Sequence, residues 1–177
     1  AKEVLRSEIV FPVVGHLVGK RAGTLVPAIV GLPVDASEDA LKALGAAAAS
    51  SGGVAMFHAV GRTPEAPTLE KALGGSPPDR VIEVDTAMLN ADRAELSTRT
   101  EGPLAAISVG TPHFSLAEFR TLAGLVAGRT IDPGVEFYVN TSREVLAEAA
   151  AEGLVTPLRT AGIEIVTDTC TYITPIM

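Results

Sequence analysis

The chain has one cysteine, no tryptophan and no run rich in Lys or Arg. Each shortage excludes something. A lone cysteine, Cys170, cannot close an internal disulfide, which rules out a disulfide scaffold and fits a reducing, cytoplasmic compartment. One thiol is also too few to build a zinc or iron–sulfur site unaided. With 14 Lys and Arg against 21 Asp and Glu, the formal charge is −7. Nucleic-acid binding needs a basic patch, and an anionic membrane surface asks for the same, so neither is an expected partner. No secretory pattern opens the chain. The stretch from Ala43 to Gly61 has no charged residue, but Gly45, Ser50, Ser51, Gly52, Gly53 and His58 divide it into a helix, a turn and a strand. It reads as buried rather than membrane-spanning. Nucleotide signatures are missing too. Gly15-His16-Leu17-Val18-Gly19-Lys20-Arg21 is one residue short of a phosphate-binding loop and ends on Arg where Ser or Thr is needed, and no Gly-x-Gly-x-x-Gly follows a strand.

What is present suits a packed domain. Of the 177 residues, 47% are hydrophobic and 20% charged, and Ala, Val, Leu and Gly supply the apolar matter that aromatics do not. Short β-rich runs alternate with helical ones. Strands are expected at 25–30, 54–58, 80–84, 104–109, 135–139 and 163–166. Helices are expected between them: from about Ser37 to Ser50 with Asp35 or Ser37 as cap, from Thr63-Pro64-Glu65 to Gly74, and from an Asp85 cap to about Leu96. Two more open on the capping-box patterns Ser115-Leu116-Ala117-Glu118 and Thr141-Ser142-Arg143-Glu144. In the helix after Ser115, the spacing turns Leu116, Phe119, Leu122 and Val126 inward. Strands joined by helices imply a mostly parallel sheet of five or six strands with helices on both faces, in a single α/β domain spanning 1–177. Ala1 is not an initiator Met, and 173–177 show no terminal helix pattern. The chain therefore reads as an internal segment of a longer protein.

In open parallel sheets, ligands gather beyond the carboxyl ends of strands. Three expected strand ends carry reactive residues: His58 through Thr63 to Glu65, Gly110-Thr111-Pro112-His113-Phe114-Ser115, and Asp168-Thr169-Cys170-Thr171. Each has a plainer explanation. His58 suits a hydrogen-bonded core histidine, Glu65 a carboxylate favoured in a first helical turn, Ser115 an N-cap, and Cys170 a small buried hydrophobe. His113, in a Pro-flanked loop, reads more readily as functional.

Together these motifs resemble the large subunit of the aconitase X family. The resemblance rests on Gly52-Gly53-Val54-Ala55-Met56-Phe57-His58-Ala59-Val60-Gly61-Arg62-Thr63-Pro64-Glu65-Ala66, on Gly110 to Ser115, on Asp168-Thr169-Cys170, and on the run from Leu41 to Gly52. It implies an aconitase-like domain from a longer large subunit whose earlier and later cysteine segments and small swivelling subunit or domain lie elsewhere. It implies a hydro-lyase that dehydrates a small hydroxy acid with an iron–sulfur cluster or a single iron: cis-3-hydroxy-L-proline first, phosphomevalonate as the alternative substrate. Cys170 matches the family's metal-binding cysteine. Many relatives have Gly-Cys-Pro-His where this chain has Gly110-Thr111-Pro112-His113, and Thr111 cannot supply a thiolate. Within the resemblance His58, Glu65, His113 and Ser115 are catalytic candidates, and Thr63, Gly110 and Thr111 substrate-binding ones. The isolated chain is expected to hold no iron and to be inactive. The competing reading is a non-catalytic α/β module that binds a small carboxylate or phosphate through helix N-termini and hydroxyls.

Overall fold

The computed structural model describes residues 8–99, 101–171 and 173. Apart from Ile173, the expected lack of a terminal helix at 173–177 lies outside them. The described residues form two compact units that divide at residue 100, where one domain was expected.

The first unit begins with a helix that the sequence pattern did not reveal. α1 (Val10–Ala22) starts without a side-chain cap, and Pro12 sits in its first turn, where an absent N–H is tolerated. α2 (Glu38–Gly52) is capped by Ser37, whose hydroxyl accepts the Ala40 N–H at 3.1 Å. The near-miss phosphate loop is the seam between these helices. A Cβ on Gly15 would lie 2.2 Å from the Leu44 carbonyl oxygen, and one on Gly52 would lie 1.8 Å from that of Gly19. The glycines let two backbones touch, and Leu44 and Ala48 are wholly buried beside them.

Two-residue strands β1 (Ala28–Ile29) and β2 (His58–Ala59) pair in parallel. The expected strand at 54–58 thus starts only at its last residue. The next helix, α3 (Leu69–Ala72), is capped by Thr68 and not opened by Thr63-Pro64-Glu65. Residues 80–84 are not a strand, and Val81, Ile82 and Val84 are exposed. α4 (Thr86–Glu95) is capped by Asp85 as expected. It carries the buried Asp92, which accepts from His16 Nδ1 at 2.6 Å and lies 3.6 Å from Lys20 Nζ, both on α1. Ion pairing of this kind is what makes a buried carboxylate tolerable.

The second unit holds β3 (Ala106–Val109), α5 (Leu116–Val126), β4 (Glu136–Thr141), α6 (Arg143–Ala151), α7 (Val155–Thr160) and β5 (Ile163–Thr167). The strands pair in parallel in the order β3-β4-β5. Among the described residues, five strands in two parallel sheets therefore replace one sheet of five or six. Phe119 and Leu122 from α5, Ala149 from α6, and Val155 and Leu158 from α7 share one core with Phe137, Val139 and Ile163. Alternation along the strands puts Ser108 and Asn140 on the opposite face. The full capping box at Ser115 and Glu118 forms as expected. At α6 the cap is Ser142, because the Thr141 hydroxyl is buried and donates to the Phe114 carbonyl at 2.8 Å.

Candidate functional site

The residues singled out in the sequence fall into two groups, one in each unit.

In the first unit, the chain turns sharply after β2. The amides of Arg62 and Thr63 both donate to the Ala59 carbonyl, at 2.8 and 2.9 Å, and the Thr63 hydroxyl donates to it at 3.3 Å. The turn aims Glu65 back at His58: Glu65 Oε1 lies 3.5 Å from His58 Nδ1. The imidazole is mostly enclosed, and its Nδ1 has no hydrogen-bond partner among the described residues. The Glu65 side chain is 56% exposed. Glu65 precedes α3 by several residues and so does not lie in a first helical turn. A reachable carboxylate beside an enclosed imidazole nitrogen can accept and relay a proton.

In the second unit, the carboxyl ends of all three strands meet. Gly110 follows β3 with φ +92, and a Cβ there would lie 2.1 Å from the Asn140 carbonyl oxygen, so only glycine fits. The same oxygen accepts the Phe114 N–H at 2.8 Å. The Phe114 ring meets Phe119 edge-on at 5.4 Å, which fastens the loop to α5. Thr111 is thereby presented to the segment after β5, where its Oγ1 lies 3.3 Å from Cys170 Sγ. His113 Nε2 approaches the Thr169 carbonyl at 3.3 Å. Ser115 accepts the Glu118 N–H as the α5 cap, on the same loop as Thr111 and His113. Thus Gly110, Thr111, His113, Ser115 and Cys170 share one edge, and His58, Thr63 and Glu65 form a separate group.

Two contributors, Asn140 and Arg143, escaped sequence reasoning, and a third, Thr171, was named there only as the end of its motif. Asn140 is fully buried at the end of β4 and bonds to both neighbouring chain segments. Its signal was an amide closing an apolar strand, where burial demands partners. Thr171 is buried and lies 2.6 Å from Ser108, hydroxyl to hydroxyl. Arg143, at the start of α6, donates from Nε to Asp168 Oδ2 at 2.6 Å and from its amide to Oδ1 at 3.1 Å. These bonds hold the Asp168 carboxyl below the usual aspartate range, and the Asp168 backbone is left-handed, φ +58. Among the described residues, no group of three or more His, Cys, Asp or Glu could hold a metal ion. Cys170 is half-buried and is the sole thiol. No helix among the described residues is long and apolar enough to cross a membrane.

The family model for the second domain of aconitase X matches residues 1–94, and that for the third domain matches 104–177. This chain belongs to the aconitase X family. The division between the two matches agrees with the two units. A cis-3-hydroxy-L-proline dehydratase from Pseudomonas aeruginosa is 42% identical over 161 residues, covering 90% of this chain and 28% of that protein. One from Hypocrea jecorina is 41% identical, covering 90% and 27%. The phosphomevalonate dehydratase large subunit of Methanothermobacter thermautotrophicus is 38% identical, covering 92% and 39%. The holo-form crystal structure of Thermococcus kodakaraensis aconitase X superposes with a TM-score of 0.77 at 28% identity, covering 94% of this chain and 41% of that one. This aconitase X chain thus spans well under half the length of these relatives.

Proposed function

We propose that the chain is part of the large subunit of an iron-dependent hydro-lyase that removes water from a small hydroxy acid, with cis-3-hydroxy-L-proline as the first candidate. The observation that carries this reading is the strand-end edge in the second unit, where Thr111 and Cys170 meet at 3.3 Å across 59 residues of sequence. The likeness to two cis-3-hydroxy-L-proline dehydratases supports the substrate.

The donor set fits one edge of an iron site and not a whole one, since a single thiol stands at the edge. Cys170 would be one ligand of a cluster or a single iron, with the others coming from outside this chain. Bound iron would act as the Lewis acid that helps hydroxide depart. The chain's own residues would do the rest. Dehydration takes a proton from the carbon next to the carboxylate and a hydroxide from its neighbour, leaving a C=C bond and water. Glu65 would be the base, and His58, whose Nδ1 lies 3.5 Å from it, would share its proton. His113 and Ser115 would orient the substrate or protonate the leaving oxygen at the thiol edge. Thr111 and Gly110 there would hold the substrate carboxylate through a hydroxyl and strand-end amides. A small subunit or domain is the expected partner, a reading supported by the relatives named as large subunits. The likeness to those same relatives favours phosphomevalonate as the second substrate to try.

The test is a dehydration assay of the protein that carries these residues, with cis-3-hydroxy-L-proline, phosphomevalonate and a panel of other hydroxy acids, and with iron quantified in parallel. Dehydration of a panel member with stoichiometric iron is expected. A protein that binds small carboxylates without iron or turnover would instead be the non-catalytic module.

A further inference from the structure

We infer that Asn140 is the positioning residue that sets the Cys170 thiol against Thr111. The inference rests on the reading of Cys170 as an iron ligand, for which a thiol must be held at a fixed place. A buried amide is costly unless its donor and acceptor are both used. Asn140 uses both, in opposite directions. Its Nδ2 donates to the Val109 carbonyl at 3.0 Å, at the last residue of β3. Its Oδ1 accepts the Thr171 N–H at 3.2 Å, one residue beyond Cys170. The Ser108 and Thr171 hydroxyls, 2.6 Å apart, each lie 3.4 Å from the same Nδ2 and close the network. The backbone of Asn140 positions the other loop: its carbonyl accepts from Phe114 and fits closely against Gly110. One residue is therefore the common reference for the loop that carries Thr111 and for the segment that carries Cys170. A leucine of similar size would fill the space, keep the backbone bond to Phe114 and make none of the side-chain bonds.

The test uses the only thiol of the chain. With one cysteine in the sequence, the rate of alkylation by iodoacetamide reports on Cys170 alone. Four forms are compared without iron: the parent, T111V, N140L and the double variant. If Asn140 sets the contact, T111V changes the rate in the parent but not in the N140L background, a coupling of at least about threefold. A purely structural Asn140 would leave the T111V effect unchanged. An equal effect in both backgrounds, zero included, overturns the proposal. A second measurement covers the case in which N140L does not fold. In the parent chain, hydrogen exchange of the Thr171 amide should be as slow as that of the β4 amides. Exchange at the rate of an exposed loop overturns the proposal. Neither readout involves iron, so either can fail while Cys170 still binds iron. Unaltered iron content in Cys170→Ala would remove the ligand reading and leave the positioning result standing.

Discussion

Three glycine-to-alanine substitutions in the second unit separate conformational strain from steric exclusion. Gly124 lies at an exposed position of α5 with ordinary helical geometry and open space around a new Cβ. Alanine there should stabilise the unit by up to about 1 kcal/mol, because glycine loses more backbone entropy in a helix. Gly153 has φ +74 and also faces open space, so G153A should cost only the left-handed strain, about 1–2 kcal/mol. Gly110 combines φ +92 with a Cβ that would sit 2.1 Å from the Asn140 carbonyl oxygen and 2.8 Å from its nitrogen. Relief requires the loop to withdraw by about 1 Å, far enough to strain the Phe114 bond to the same oxygen. Strain, overpacking and a weakened hydrogen bond together amount to roughly 3–6 kcal/mol. With a slope near 1 kcal/mol/M for a unit of this size, urea denaturation followed by circular dichroism should show G110A shifted by roughly 3 M or more. If G110A and G153A fall by the same amount, the close approach of Gly110 to Asn140 is not real and the geometry of the strand-end edge is wrong.

Acid should loosen the Arg143–Asp168 pair in a characteristic way. The Asp168 carboxyl sits below its ordinary range because Arg143 bonds to its ionised form. Its contribution is therefore present above the unfolded-state value and fades as pH falls through the lower folded one. D168N should be less stable than the parent at neutral pH, with the gap closing only in strong acid; a gap constant with pH contradicts this. In the protein that carries the chain, Glu65→Gln should lower kcat by about 10²–10⁴ if Glu65 is the base; a change confined to KM would reassign it to binding. The 177-residue chain alone should bind no tight cluster after iron and sulfide reconstitution, since one thiol is its whole supply. A stable coloured cluster on it would show that the other ligands are already present.

Local chemistry was legible where it decides structure locally. Asp85 and Ser115 each cap the helix they were expected to open, and of the two expected caps Asp35 and Ser37 it is Ser37 that caps α2, because a short polar side chain directly before an apolar-periodic run is well placed to accept the first free amides. The inward face of α5 followed from its spacing. At 141–144, two adjacent hydroxyl residues competed for the cap, and burial against Phe114 took Thr141 out of contention. The helix at Val10–Ala22 escaped because it lacks a capping side chain and contains Pro and two glycines, and its reason for being helical lies on α2. The apolar run at 80–84 has strand composition but no paired partner among the strands of either sheet. Within the candidate site, motif residues on one loop could be grouped from sequence, as could Cys170 with a strand end. Asn140 could not, because its role depends on pairing with segments about thirty residues away on both sides. The single sheet failed for the same reason: strand runs can be recognised locally, but sheet membership is set by long-range contact.

Whether Cys170 ligates the iron of a dehydratase is decided in the protein that carries this chain. Iron content and the rate of cis-3-hydroxy-L-proline dehydration should be measured side by side for the parent and Cys170→Ala. Iron and activity should fall together to near background in the variant, with the fold retained by circular dichroism. Full iron and full activity in Cys170→Ala would contradict the ligand reading.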